Sequence, residues 1–171
     1  MAVNKDSLER VLVKNPMIKS AQVYYSLDGY IHVNIQQREP VLRVLTGEGY
    51  YVDRDGRVMP LSSKFTSRVV VATGDINKKF ACEKLGPFAM KLKNEPFWDA
   101  YIEQLVVRSN EDVVMIPKVG DFRIVLGKVD DCDARLEKLI LFLKDGITKK
   151  GWNRYKEINL KFDNQVVCVR K

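Results

Sequence analysis

Leu8-Glu9-Arg10-Val11-Leu12, then Asn15-Pro16-Met17-Ile18-Lys19-Ser20-Ala21-Gln22-Val23, then Ile31-His32-Val33-Asn34-Ile35-Gln36-Gln37-Arg38-Glu39-Pro40-Val41, and finally Tyr51-Val52-Asp53-Arg54-Asp55-Gly56-Arg57-Val58 follow one another near the start of the chain. Leu8, Val11 and Leu12 share one helical face, with Asp6 or Ser7 placed to cap the helix and Asn15-Pro16 to end it. From Ile18 to Leu27 the period changes to two, with Ala21, Val23 and Tyr25 on one side. Asp28-Gly29 is a two-residue hairpin signal, and Tyr30 to Gln37 returns with Ile31, Val33 and Ile35 on one face. His32 falls on the other, polar face. It reads as a solvated strand residue, because no second ligand lies nearby.

Pro40 interrupts the pattern, so Arg38-Glu39-Pro40 is the expected boundary between a first domain, 1–39, and a second, 40–171. The second domain reads as strands at Val41 to Leu45, Tyr50 to Asp53, Arg57 to Leu61 and Val69 to Thr73, with Gly47-Glu48-Gly49 and Asp55-Gly56 as turns. A helical stretch follows from Lys78 to Leu92, with Gly86-Pro87 expected to interrupt it, and Phe97 to Ala100 adds a turn or two. Three more strands, Ile102 to Arg108, Val113 to Ile116 and Phe122 to Leu126, turn at Asn110 and at Gly120-Asp121. A long helix near Cys132 to Lys144, capped by Asp130 or Asp131, carries Leu136, Leu139, Ile140 and Leu143 on one face. Glu157 to Phe162 and Gln165 to Arg170 close the chain as a hairpin across Asp163-Asn164. The fold expected is α+β: a helix–strand–strand module, then a β domain whose mixed or antiparallel sheet is covered by the long helix.

The 171 residues carry 29 Lys+Arg against 22 Asp+Glu, a net charge of +7. A charge of this size bears on solubility and association rather than on fold. Its densest part is Lys144, Lys149, Lys150, Arg154, Lys156 and Lys161. Nucleic-acid binders offer a tighter basic stripe or a known module, so no nucleic-acid partner is expected. A salt-dependent mobility shift is the test of that class. No apolar run approaches the roughly 18 residues of a membrane helix, and no signal peptide is visible behind Met1.

Cys82, Cys132 and Cys168 lie far apart, with no CxxC pair, and His32 is the single histidine. That argues against structural zinc, which needs about four ligands at defined spacing. Cys168 lies in an apolar strand and reads as a small core residue. Asp53-Arg54-Asp55-Gly56 resembles the opening of a calcium loop but lacks its third oxygen position and downstream Glu, so a hairpin turn is expected there. Phosphate loops, GxSxG and HExxH are absent, and no nucleophile–base pair can be assembled around His32. No catalytic activity, cofactor or metal is expected. Phe97, Trp98 and Tyr101 cluster as core or lid, while Trp152 and Tyr155 sit in a basic connection and read either as an interface centre or as core packing.

Set in order, and with Ile and Val interchangeable at the aliphatic positions, the opening segments match the patterns "P-x-V-x-x-A-x-V", "I-x-V-x-x-R-x-P-V" and "x-V-D-x-x-G-x-V". In this order the chain resembles the FtsQ/DivIB family of bacterial cell-division proteins. Phe122 to Gly127, the helix from Asp130 and the closing Ile158-Asn159-Leu160-Lys161-Phe162 resemble that family's β domain, so the likeness covers almost the whole chain. It implies a non-enzymatic divisome scaffold with a POTRA domain and a β domain, anchored in the plasma (inner) membrane by a single helix and facing outward at the septum. It implies partners of the FtsB/DivIC and FtsL types, with other septal wall-synthesis proteins. The chain begins at what would be the second POTRA helix, so the likeness also implies a truncated module without its membrane helix, first strand and first helix. Leu8 to Gln37 is then expected to be loosely held.

The likeness places partner contacts on Phe162, Asn164, Val166, Cys168 and Arg170, through strand addition at the last strand. Phe162 stands at the family's aromatic position by the hairpin turn. Arg170 departs from the aromatic residue expected near there and suggests an acidic partner. The alternative is a POTRA-type outer-membrane assembly or polypeptide-transport factor. Such proteins tend to repeat the module, whereas here a different domain follows.

Overall fold

The computed structural model describes residues 4–63, 66–147 and 154–171. Lys149, Lys150 and Trp152, singled out above, lie outside them. Helix α1 spans Lys5–Val13 and packs along β1, Ile18–Tyr25. Its cap is Asn4, not Asp6 or Ser7. Asn4 is extended, and its side chain accepts the Ser7 N–H at 3.2 Å. Asp6 and Ser7 already lie within the first turn, where a side chain cannot reach forward to a free amide in the capping manner.

Strand β2, Ile31–Gln37, pairs antiparallel with β1, placing Val33 opposite Val23 and Ile35 opposite Ala21. The connection is longer than the two residues expected. It runs from Ser26 to Tyr30, with the Ser26 N–H donating to the Tyr30 carbonyl and Gly29 at φ +85°. Gly29 takes the left-handed position that closes this wider loop without a Cβ clash.

The rest is one nine-stranded sheet. Its strands are β3 Pro40–Val44, β4 Tyr50–Asp53, β5 Val58–Met59, β6 Val70–Gly74, β7 Ile102–Arg108, β8 Asp112–Pro117, β9 Arg123–Gly127, β10 Tyr155–Asn159 and β11 Val167–Arg170. Their order is β11-β10-β9-β8-β7-β6-β3-β4-β5. Three pairs are parallel, β3 with β6, β6 with β7 and β9 with β10. A parallel pair needs a long crossover, and the helices supply two of the three. The β6–β7 crossover holds α2 Lys78–Phe80, a π-turn Ala81–Leu85, α3 Gly86–Asn94 and α4 Pro96–Tyr101; the β9–β10 crossover holds α5, Asp133–Phe142.

Gly86-Pro87 does not interrupt the first of these helices. The Gly86 N–H donates to the Ala81 carbonyl, five residues back, and every residue bounding the π-turn is right-handed helical. Pro87 has no N–H to offer. The widened turn absorbs the missing bond, so the axis runs on to Asn94.

Helix α5 is not capped by Asp130 or Asp131. Cys132 stands at the cap position without a side-chain bond, Asp131 has φ +46°, and the Asp130 carboxylate goes to Lys84 at 2.6 Å. Arg135 holds the entry instead, donating to the carbonyls of Leu126 and Asp130, each at 2.7 Å. Leu136, Leu139 and Leu143 are buried, and half-buried Ile140 packs against the same core. Both crossovers meet the sheet in one cluster with Leu42, Leu105, Met115, Ile124 and Ile158. Leu139→Ala is expected to cost about 3 kcal/mol of unfolding free energy, read as a lowered urea midpoint at unchanged slope.

Candidate partner-binding edge

Strand β11 lies at one end of the nine-stranded sheet and, among the described residues, pairs only with β10. Cys168 lies opposite Ile158, Val167 opposite Asn159 and Val169 opposite Glu157. Ile158 belongs to the helix-covered core, so Cys168 leans towards the core while Val167 and Val169 occupy the other face. Burial pushes the Cys168 thiol up, which keeps it a neutral, core-facing side chain.

The closing hairpin is wider than the spacing suggests, because β10 stops at Asn159 and β11 starts at Val167. Phe162 and Asn164 therefore sit in the connection, and Val166 lies just before the strand, packed against the core. The cause lies in the residues around Leu160. Leu160 is fully buried, its N–H donates to the Val125 carbonyl, and the Asn159 side chain accepts the Lys161 N–H. These bonds turn the chain towards β9 before a tight hairpin can form. Lys138 on α5 then holds the connection by donating to the carbonyls of Phe162 and Asp163. The Phe162 ring is left 46% exposed. Arg170 is exposed near the chain end, beyond which Lys171 pairs with Asp121 at 2.8 Å.

The five residues named from the sequence thus fall on three kinds of ground. Phe162 and Asn164 are in an exposed connection, Val166 and Cys168 face inward, and Arg170 is at the exposed end. Val167 and Val169 complete the edge. The likeness did not carry these two residues over, although they belong to the same apolar run. Beside the strand's end, an open cleft of about 600 Å³ is lined by Ile116, Phe122, Arg123, Lys156 and Lys171 among others. Asp121 lines it too; Lys171 is paired with Asp121 and Arg123 with Glu157, at 2.8 and 2.7 Å.

A second set of residues gained its meaning only in three dimensions. Arg38, from "R-x-P-V", donates to an Asp53 carboxylate oxygen at 2.7 Å, and Asp53 is the acidic residue of "V-D". The other Asp53 oxygen accepts the N–H groups of Asp55 and Arg57 at 2.9 and 2.7 Å. Asp53 is 2% exposed, the one buried charged residue among those described. Its oxygens are spent on guanidinium and backbone donors, which is the hairpin-turn reading and not a calcium loop. Around this pair lie Lys19–Asp55, Arg54–Glu39 and Lys93–Glu39 at 2.8, 2.9 and 3.1 Å. The base of the first module thus meets the sheet through charged contacts, of which Arg38–Asp53 is the buried one.

Hydrogen bonds from Lys93 and Lys19 hold the Glu39 and Asp55 carboxyls below their ordinary range. A depressed carboxyl contributes its stabilisation above its unfolded value and loses it as pH falls through the folded one. Acidification below the usual carboxylate range of about 4 should therefore speed amide exchange in β1 before it does so in β7. Simultaneous exposure of both strands would contradict this order.

Among the described residues no helix is long and apolar enough to cross a membrane. A family model described as FtsQ/DivIB, C-terminal related, matches residues 39–169. The matched span takes in the nine-stranded sheet from its first strand almost to the end of its last. No curated protein matches the chain.

Proposed function

The chain belongs to the FtsQ/DivIB C-terminal-related family and so to bacterial cell division, and from that premise we propose that it is a non-enzymatic scaffold that recruits and regulates septal wall-synthesis proteins. The supporting observation is the position of β11. It closes the sheet at one end, has no neighbour beyond it among the described residues, and presents backbone N–H and C=O groups along an apolar run. A partner of the FtsB/DivIC type adds a strand there, with an FtsL-type protein in the same complex. Backbone bonds supply the affinity, and Phe162, Asn164, Val166, Cys168 and Arg170, together with Val167 and Val169, select the partner. Phe162 is the exposed aromatic anchor, and Arg170 meets an acidic side chain.

In this reading residues 1–39 are part of a POTRA module and residues 40–171 are the β domain. The protein is held in the plasma membrane by an upstream helix and faces outward at the septum. The transport-factor alternative has less support. After the helix–strand–strand segment comes a nine-stranded mixed sheet, not a second copy of the module.

The test is capture of the extracytoplasmic part of an FtsB-like protein by immobilised chain. Phe162→Ala should weaken capture tenfold or more. Val167→Pro, which removes a backbone donor from the last strand, should abolish it. Circular dichroism keeps folded variants distinguishable from unfolded ones. Full capture by both folded variants would end the β11 assignment.

A further inference from the structure

The connection that carries Phe162 is fixed differently at its ends and in its middle. At its start Leu160 is fully buried and donates its N–H to the Val125 carbonyl, and at its end Val166 packs against the core. Between them Phe162, Asp163, Asn164 and Gln165 are all exposed. Among the described residues, the side chain that reaches this stretch is Lys138 of α5. Its ammonium donates to the Phe162 carbonyl and, at 3.3 Å, to the Asp163 carbonyl. Exposed residues without such a hold sample many backbone states, and fixing each one costs free energy.

Lys138 is half-buried and stands one turn on from Arg135, which donates to the Leu126 and Asp130 carbonyls. Residues three apart share a flank of a helix, so one flank of α5 holds both the helix entry and the Phe162 connection. Gly127, at φ +88°, lets the two come together. A Cβ there would lie 3.0 Å from Lys161 Cγ and 3.1 Å from Arg135 Nη1. Leu139, next to Lys138, is fully buried in the core, so the lysine projects from an anchored turn of helix. Two consecutive carbonyls bonded to one ammonium set the peptide planes on both sides of Asp163, and with them the backbone from which the Phe162 ring projects. The carbonyls carry no formal charge, so these are charge-assisted hydrogen bonds and not an ion pair.

We propose that Lys138 is a positioning residue for partner capture, holding the Phe162 connection in its binding shape before the partner arrives. The inference rests on the strand-addition reading of β11. It adds to that reading a residue from outside the last hairpin, one that acts through Phe162 instead of touching the partner itself. With Lys138 in place, the ordering of Phe162 to Gln165 is done by the fold. Without it, that ordering falls to the binding step and lowers affinity, while the core under α5 keeps its packing.

Calorimetric titration of the chain with the extracytoplasmic part of an FtsB-like protein, run as a double-mutant cycle, tests this. Lys138→Met keeps the apolar stem and removes the donors. It should raise the dissociation constant roughly tenfold, hold the urea midpoint, and speed amide exchange at Asp163 and Asn164 in the unbound chain. Lys138→Arg, which again offers two donors, should restore most of the affinity. In a Phe162→Ala background, Lys138→Met should add less than about twofold. Lys79→Met removes an equal charge from an exposed site on α2 and should leave binding unchanged. Equal losses in both backgrounds, an equal loss from Lys79→Met, or a lowered urea midpoint would each overturn the role. So would full affinity in Lys138→Met; if Val167→Pro still abolishes capture, the β11 reading then stands alone. An unaltered chain that captures nothing removes that reading and this role together.

Discussion

Gly74→Ala is expected to remove about 4 kcal/mol or more of unfolding free energy and to leave little native protein at 37 °C. Gly74 ends β6 with φ +105°, a backbone region that an L side chain rarely adopts. A Cβ there would lie 2.0 Å from the Val107 carbonyl oxygen, and that oxygen belongs to the backbone of a central strand. It cannot swing aside as a flexible side chain would. The strand end would have to move, taking with it the bond from the Asp75 N–H to the Val107 carbonyl at 2.9 Å. Strain and a lost backbone bond act together, and both fall where β6 and β7 join the two halves of the sheet. Urea unfolding followed by circular dichroism measures the loss. A change under about 1 kcal/mol would mean that β6 and β7 do not approach as closely as described.

The second large effect is expected at the junction. Asp53→Ala leaves the Arg38 guanidinium 11% exposed without its carboxylate and frees the Asp55 and Arg57 amides. Removing one member of a buried pair costs about 3–5 kcal/mol, because the other charge is left desolvated and unpaired. In a domain of this size that corresponds to roughly 10 °C in Tm. Asp53→Asn keeps a side-chain oxygen for the turn and should cost less. Arg38→Met alone should be costly through the buried carboxylate it strands, and combining it with Asp53→Ala should recover part of the sum. The double-mutant cycle reads that coupling directly. Strict additivity of the two single variants would show that the pair is not what holds this turn to the first module.

The chain's local order was legible from its residues, because the signals act over a few positions. Period two in Ile31-His32-Val33-Asn34-Ile35, period three to four in Leu136, Leu139, Ile140 and Leu143, and the turn chemistry of Asp55-Gly56 and Gly120-Asp121 each report a conformation their own neighbours decide. The α+β class and the likeness that pointed to cell division rest on the same short-range patterns taken in order. Caps and turn widths were less legible. Asn4 caps because the helix starts two residues earlier than expected, whereas the loss of Asp130 to Lys84 and the wide connection held by Lys138 depend on partners from elsewhere in the chain. Pro87 was misread as an interruption because a π-turn leaves no sequence period of its own.

Strand order lay further out of reach. Periodicity says which face of β9 is buried but not that β10 lies beside it in parallel. That pairing comes from the α5 crossover and from the total area the helices bury. The meeting of Arg38 with Asp53 is of the same kind, since neither residue's surroundings in sequence reveal that the other's charge needs neutralising. By itself the sequence determined which segments are helix or strand, which side chains seek the core and which family the motifs resemble. Only the tertiary structure decided the order of the strands, because order is set by how segments distant in sequence pack against one another.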